Sequence, residues 1–308
     1  LLHLRKRYDV IQVNSMPDFL VFATLVPKLL GVKVILDLQE CMPEIYMVKY
    51  RLDQSSLLVR LLKRLEQVSI AYADRVITCN EQMKRIFVSR GAPPNKISII
   101  LNSADDRIFE LTPQHGEPVS SKDSFVLISH GSIEERYGLD IAIKAVAVLR
   151  EHVPGVRLEI FGDGESREDL IKLTHSLHLN GHVMLRGHVP FRQLLQALAE
   201  ADIGLVTIRQ YPEMGWVHTN KMFELVAMRK PVVITRSQAV EAYFDKSCLM
   251  FFESDNEHDL AQAVLELHNN PKRRQDMVQN ASRVYERYRW SVQAPRYCSL
   301  IESMDCQA

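Results

Sequence analysis

Residues 218–234 read HTNKMFELVAMRKPVVI. Four polar residues (His218, Thr219, Asn220, Lys221) lead into a short helical pattern with an apolar face and one carboxylate, Glu224, in its second turn. Lys230-Pro231 stops that helix, and PVVIT at 231–235 reads as a strand. The first N–H groups of a helix have no partner inside it. A helix that starts beyond the carboxyl end of a strand therefore offers an anion site. A carboxylate one turn further in can accept hydrogen bonds from a hydroxylated group such as a ribose. Phosphate at the helix mouth and ribose beside Glu224 describe a nucleoside diphosphate.

On both sides of this stretch, short β-branched runs alternate with longer helical patterns. Strands are expected at 9–14, 32–38, 75–79 and 97–101, with helices near 17–30, 54–72 and 80–90 between them. Residues 103–123 lose periodicity and form the linker candidate. A second series follows: strand 125–130, helix 138–152, strand 156–161, helix 165–178, strand 182–186, helix 190–200 and strand 202–208. After the helix at 219–229 come strands 231–235 and 248–252, then helices 257–268, 271–287 and 289–304. Such alternation predicts an α/β protein of parallel sheets with helices on both faces, arranged as two Rossmann-like domains facing a cleft. The expected division is 1–115, 116–288 and a C-terminal helix, 289–308, crossing back to the first domain.

Composition narrows the class. At 308 residues and 46% apolar the chain can bury a large core. Net charge is zero: residues 1–115 carry 16 Lys and Arg against 12 Asp and Glu, and the remainder 22 against 26. A bias this small excludes a nucleic-acid footprint but permits weak attraction to anionic lipid heads. Five cysteines, with no Cys-x-x-Cys pair, argue for a reducing compartment and against a disulfide framework or a zinc site. No apolar run is long enough to span a bilayer, and no signal peptide is visible. The chain opens with Leu1 inside a helical pattern, LLHLRKR, so we expect its first domain to be incomplete at the N-terminus.

Four segments in order carry a resemblance to a known family: Asn-Lys-x-Phe-Glu-(x5)-Lys-Pro-Val-Val at 220–233, HGSIEERYGLDIAIKAV at 130–146, IFGDGESREDL at 160–170 and VMLRGHVPFRQLLQALAEADIGLVTI at 183–208. Together they resemble family 4 glycosyltransferases, enzymes of the GT-B fold that use nucleotide sugars. The resemblance implies a retaining transfer from a nucleotide-diphosphate sugar of UDP or GDP type to a hydroxylated acceptor, without metal or resident cofactor. It also implies work in the cytoplasm, with a lipid-linked or polysaccharide acceptor and a peripheral place on the inner face of the membrane as the finer expectation.

The same resemblance implies the site residues. Glu224 would hold the donor ribose, as the second Glu of the family's Glu-x7-Glu motif does; the first would fall at Trp216, with Glu213 the nearest substitute. Gly215, Thr219, Asn220 and Lys221 would lie near the diphosphate and sugar, although Asn220 reads equally as a helix cap. Gly131, Ser132 and Arg136 form a strand-to-helix loop. There Arg136 would neutralise the leaving diphosphate, and pairing with Glu134 or Glu135 is its plainer role. Gly162 and Gly164 form a second glycine turn, and His188 and Val189 belong to the loop expected to line the base.

In the first domain, Gln39 and Glu40 stand where relatives carry His and Asp. Glu40 is therefore the carboxylate expected to activate the acceptor, and Gln39 cannot act as a base. Residues 56–71, SLLVRLLKRLEQVSIA, set leucines at helical spacing opposite Arg60, Lys63 and Arg64, a pattern of core helices and of helices lying on membranes. Two alternatives stay open. One is a GT-B nucleotide-sugar epimerase; the other is a non-catalytic nucleotide-binding scaffold, suggested by Trp216 and Gln39.

Overall fold

The computed structural model describes residues 8–109, 124–217 and 219–305. The LLHLRKR opening, most of the polar 103–123 stretch with the 115/116 boundary, His218, Cys306 and the side chain of Glu213 lie outside the described residues. The chain divides into two compact units. The first comprises the residues up to Asn102, the segment Tyr211–Trp216 and the tail from Ser291; the second comprises Ser103–Gln210 and Val217–Trp290.

In the first unit, four parallel strands lie in chain order: β1 (Val10–Asn14), β2 (Lys33–Leu38), β3 (Arg75–Thr78) and β4 (Ile97–Ile99). From Val34 to Leu38, β2 is buried throughout, as expected of a parallel strand covered on both faces. The region after β1 is a 3-10 turn, Asp18–Thr24, continuing into the short helix Leu25–Leu29, rather than one helix over 17–30. A further helix, Met42–Tyr50, begins with Pro43 in its first turn and ends at Arg51 in the left-handed region. Within this unit the tail helix is tied by Gln293, which accepts from the Leu101 N–H at 3.3 Å, and by Tyr297, which donates to Gln12.

The second unit holds six parallel strands in the order β10-β9-β8-β5-β6-β7. These are β5 (Phe125–His130), β6 (Val156–Phe161), β7 (Val183–Gly187), β8 (Ile203–Val206), β9 (Val232–Thr235) and β10 (Met250–Phe252). From β5 the chain adds strands outward to β7, then returns to the other side of β5 and adds outward again. The order reverses between β5 and β8, which pair Leu127 with Ile203 and Ile128 with Gly204. At such a switch point the two neighbouring loops leave in opposite directions and open a crevice beyond the strand ends, the usual ligand position in open α/β sheets. The apolar core joins the sheet to the helices Leu139–Leu149 and Glu257–Asn269, with Leu127, Val146, Leu158 and Leu260 fully buried.

Candidate functional site

Three loops at the carboxyl ends of β5, β6 and β7 are joined backbone to backbone. Gly131 donates to Phe161 O and Ile133 to Asp163 O, each at 2.9 Å; Gly162 donates to Gly187 O at 2.9 Å, and Ser166 to Ile133 O at 3.1 Å. The approach is closer than any side chain permits. A Cβ at Gly162, whose φ is +127°, would lie 1.9 Å from Gly131 O. At Gly131 (φ +107°) a Cβ would come within 2.6 Å of Lys221 Cε, so the bare glycine is what lets the lysine cross the loop.

That lysine comes from the helix Asn220–Ala227. Its N-cap is Thr219, whose hydroxyl accepts from Lys221 N at 3.4 Å; Asn220 is exposed and does not cap. Met222, Phe223, Leu225 and Val226 are buried. Leu225 presses so closely on Gly204 of β8 that a Cβ there would meet it at 2.5 Å. Phe223 packs among Tyr243, Phe244, Tyr285 and Tyr288, with ring centroids 5.9–6.4 Å away. Past the helix end, Lys230 donates to Ala199 O and Ala201 O. With these faces fixed, Lys221 and Glu224, three residues apart, share the face toward β5.

Glu224 meets His130, the last residue of β5, at 2.6 Å from carboxylate to Nε2. His130 is 7% exposed, and its Nδ1 is buried with no hydrogen-bond partner. Because a carboxylate oxygen accepts, Nε2 carries the proton when the ring is neutral. The pair fixes the carboxylate, which remains 25% exposed and free to accept further hydrogen bonds. Lys221 Nζ lies 3.8 Å from the centroid of the Tyr137 ring. Burial pushes its ammonium down to about 8; Glu224 opposes that shift, Arg136 adds to it, and Glu134 opposes it.

Arg136 sits in a loop pinned by the exit of β8. Thr207 Oγ1 donates to Tyr137 O at 2.8 Å, Arg209 N to Arg136 O at 2.9 Å and Arg209 Nε to Glu135 O at 3.1 Å. Arg209 is itself held by Asp140 at 2.6 Å and by Asp255. With three successive carbonyls engaged, the loop's position is set by backbone. The Arg136 guanidinium pairs with Glu134 at 2.9 Å and lies 5.0 Å from the Tyr137 centroid.

The second unit thus brings Gly131, Arg136, Gly162, Lys221 and Glu224 to the exits of β5, β6 and β8, with Thr219 and Asn220 at the helix mouth. Ser132 is exposed on the β5 loop, and Gly164 completes the turn after Gly162. His188, exposed, and Val189, half-buried, follow β7. His130, which the sequence reading did not single out, joins them; its signal was a polar residue closing an otherwise apolar strand, FVLISH.

Gly215 and Glu40 belong to the first unit. Gly215 adopts ordinary right-handed helical backbone at φ −61°. Trp216, 5% exposed, offers its carbonyl to Asn80 Nδ2 at 3.1 Å. Beside the half-buried Glu40, Gln39 receives the Asn102 amide and donates to Asp37, while its N–H donates to Ser15 Oγ at 3.0 Å. Burial holds the Asp37 carboxyl above its usual range, with the Gln39 and Gln12 amides opposing.

Residues 112–284 match the family described as Glycosyl transferases group 1, and residues 1–103 match the Glycosyl transferase 4-like domain. The chain is 37% identical over 120 residues to the lipopolysaccharide core biosynthesis glycosyltransferase LpsE of Rhizobium meliloti, covering 38% of this chain and 31% of that one. Over 124 residues it is 32% identical to the uncharacterized glycosyltransferase MJ1059 of Methanocaldococcus jannaschii, covering 38% and 30%. It therefore spans less than a third of the length of either relative.

Two solved structures share the fold at 17% identity. HepE of Anabaena, in complex with UDP and glucose, matches with a TM-score of 0.77 over 98% of this chain and 80% of that one. Sucrose-phosphate synthase of Thermosynechococcus elongatus matches at 0.78 over 100% and 76%. By its sequence matches over most of its length and by its two parallel-sheet units of GT-B type, the chain belongs to the group 1 glycosyltransferases.

Proposed function

We propose that this protein transfers a sugar from a nucleotide-diphosphate donor, of UDP type, to a hydroxyl group of its acceptor with retention of anomeric configuration. The observation that carries the reading is the convergence of Lys221, Glu224 and Arg136 beside the glycine loop after β5, at the β5/β8 switch point. Glu224, already oriented by His130, accepts from the ribose hydroxyls. Lys221 and Arg136 bracket Tyr137 and supply positive charge to the diphosphate. Negative charge grows on the departing diphosphate as the sugar passes through an oxocarbenium-like state, so fixed cations beside it lower the barrier. UDP is favoured over GDP by the bound UDP of HepE, a protein of the same fold.

In the first unit, Glu40 is the proposed acceptor-activating carboxylate. A lipid-linked or polysaccharide acceptor, met at the cytoplasmic face of a membrane, fits the lipopolysaccharide role in the name of LpsE.

The test is a nucleotide-sugar panel with and without lipid-linked acceptors, read by released nucleoside diphosphate. UDP release that requires acceptor is expected. Interconversion of free nucleotide sugars without acceptor would identify an epimerase, and thermal stabilisation by UDP without any release a non-catalytic scaffold.

A further inference from the structure

The Leu57–Tyr72 helix of the first unit carries apolar residues on two faces, one buried and one exposed. Its inward stripe buries Val59, Leu62 and Ile70, but also Glu66 and Ser69, both 0% exposed. Arg90 makes that burial tolerable by pairing with Glu66 at 2.7 Å. The outward stripe, at i, i+4, i+7 and i+11, carries Leu57 (81% exposed), Leu61 (52%), Arg64 and Val68 (55%), with Leu58 beside it. A soluble helix keeps its apolar residues on one inward face; here the acid is inside, and Leu57, Leu58, Leu61 and Val68 form a second apolar row outside.

The surface continues onto a neighbouring element. The Phe22 ring meets Tyr72 edge-on at 5.1 Å, and Lys28 pairs with Asp74 at 2.6 Å. These contacts lay the Asp18–Thr24 turn and the Leu25–Leu29 helix along the end of the Leu57–Tyr72 helix. This second element exposes Phe19, Leu20, Leu25, Val26 and Leu29, and its acid, Asp18, is buried. Exposed apolar side chains scattered singly are ordinary on a protein surface, but two adjoining rows of them are not.

Charge selects the occupant. Glu66 is the helix's one acid and is sequestered, so its outward charges are Arg60 and Arg64, with Lys63 at the margin. A helical apolar stripe flanked by Arg60 and Arg64 suits the boundary between acyl chains and anionic headgroups. A second copy of this chain on the same face would bring one cation-edged stripe against another, with no acid of the helix exposed to neutralise them. Among the described residues no helix is long and apolar enough to cross a membrane, so the stripe lies along the surface. We infer that the first unit docks on an anionic lipid surface through the outward stripe of Leu57–Tyr72 and the adjoining Leu25–Leu29 helix.

The docking surface is separate from the donor site, so the two can fail separately. Flotation of the full chain with phosphatidylglycerol–phosphatidylcholine vesicles is compared with pure phosphatidylcholine vesicles. Preferential binding to the anionic vesicles is expected. Leu57→Ser with Leu61→Ser should weaken it by about tenfold or more, and Arg60→Glu with Arg64→Glu similarly, the latter loss mimicked by added salt. UDP-induced thermal stabilisation should persist in all variants; its absence in the parent chain would instead count against the donor site. Leu25→Ser with Leu29→Ser is the replacement pair if the first misfolds. Failure to float with anionic vesicles, unchanged flotation of folded variants, or a dimer in solution that Leu57→Ser with Leu61→Ser dissociates would each overturn the inference.

Discussion

Substituting Glu224 separates its contact with His130 from its proposed hold on the ribose. In Glu224→Ala, the buried imidazole loses its partner at Nε2 while Nδ1 already has none, so the ring becomes a polar group with both nitrogens unpaired. Leaving a buried polar group unsatisfied costs about 1–3 kcal/mol. For a unit of this size that is a fall in Tm of about 4–8 °C at the midpoint of about 2 kcal/mol. Glu224→Gln keeps an amide oxygen for Nε2–H, so its Tm should stay within about 1–2 °C of the parent. Once that oxygen is occupied, Gln offers the ribose an N–H donor in place of a carboxylate acceptor. UDP affinity should therefore fall by about 1–3 kcal/mol, roughly 5- to 150-fold, in both variants. Calorimetric titration with UDP and thermal melts without it measure the two effects separately. If Glu224→Gln binds UDP as tightly as the parent, the ribose role is wrong; if Glu224→Ala melts at the parental temperature, the His130 contact does not hold the carboxylate.

Further tests address the remaining parts of the molecule. Gly131→Ala should lower stability by about 1–2 kcal/mol because its φ is left-handed, and should push Lys221 aside; an unchanged melt together with unchanged UDP affinity would contradict the close crossing. The Lys221 ammonium, pushed down to about 8, loses its charge as pH rises through that value, so UDP should bind more weakly above about pH 8. Lys221→Met should bind weakly at all pH values and flatten that profile; a profile identical to the parent's would remove Lys221 from the diphosphate. In the first unit, burial raises Asp18 and Glu66 to about 7. The folded state then holds protons that the unfolded chain has released, and stability present below about pH 4 is lost as pH rises through about 7. Asp18→Asn, at a carboxylate with no hydrogen-bond partner, should raise Tm at about pH 8 more than at about pH 5; an equal shift at both would refute the linkage.

Much of this architecture was legible because parallel α/β units write themselves into sequence as periodicity. The strand FVLISH, the glycines after it and the Lys-Pro stop after Arg229 each produced the local structure their chemistry requires. Strand order was beyond reach, since nothing in β5 or β8 states that they are neighbours. Nor could spacing assign His130 to Glu224, 94 residues away, although both end up where the switch point places them. The Leu57–Tyr72 helix exposed a further limit. Its pattern gives apolar residues on two faces, and the buried one, with Val59, Leu62 and Ile70, also takes in Glu66, whose partner Arg90 lies 24 residues away.

The proposed donor-site residues are brought together by the order of the sheet. Reversal between β5 and β8 sets the β5 exit, with His130 and Gly131, beside the β8 exit, whose Thr207 and Arg209 hold the Glu135–Tyr137 turn further along the β5 loop. The Asn220–Ala227 helix fits against both strands because Leu225 rests on Gly204 of β8 while Lys221 crosses Gly131 beyond β5. Two glycines, one under each end of the helix contact, therefore set how near Lys221 and Glu224 come to the Arg136 loop. A side chain at Gly131 would push on Lys221 directly, and one at Gly204 would shift the helix that carries both charged groups by pressing on Leu225. Donor affinity should accordingly be as sensitive to these backbone positions as to the charges themselves.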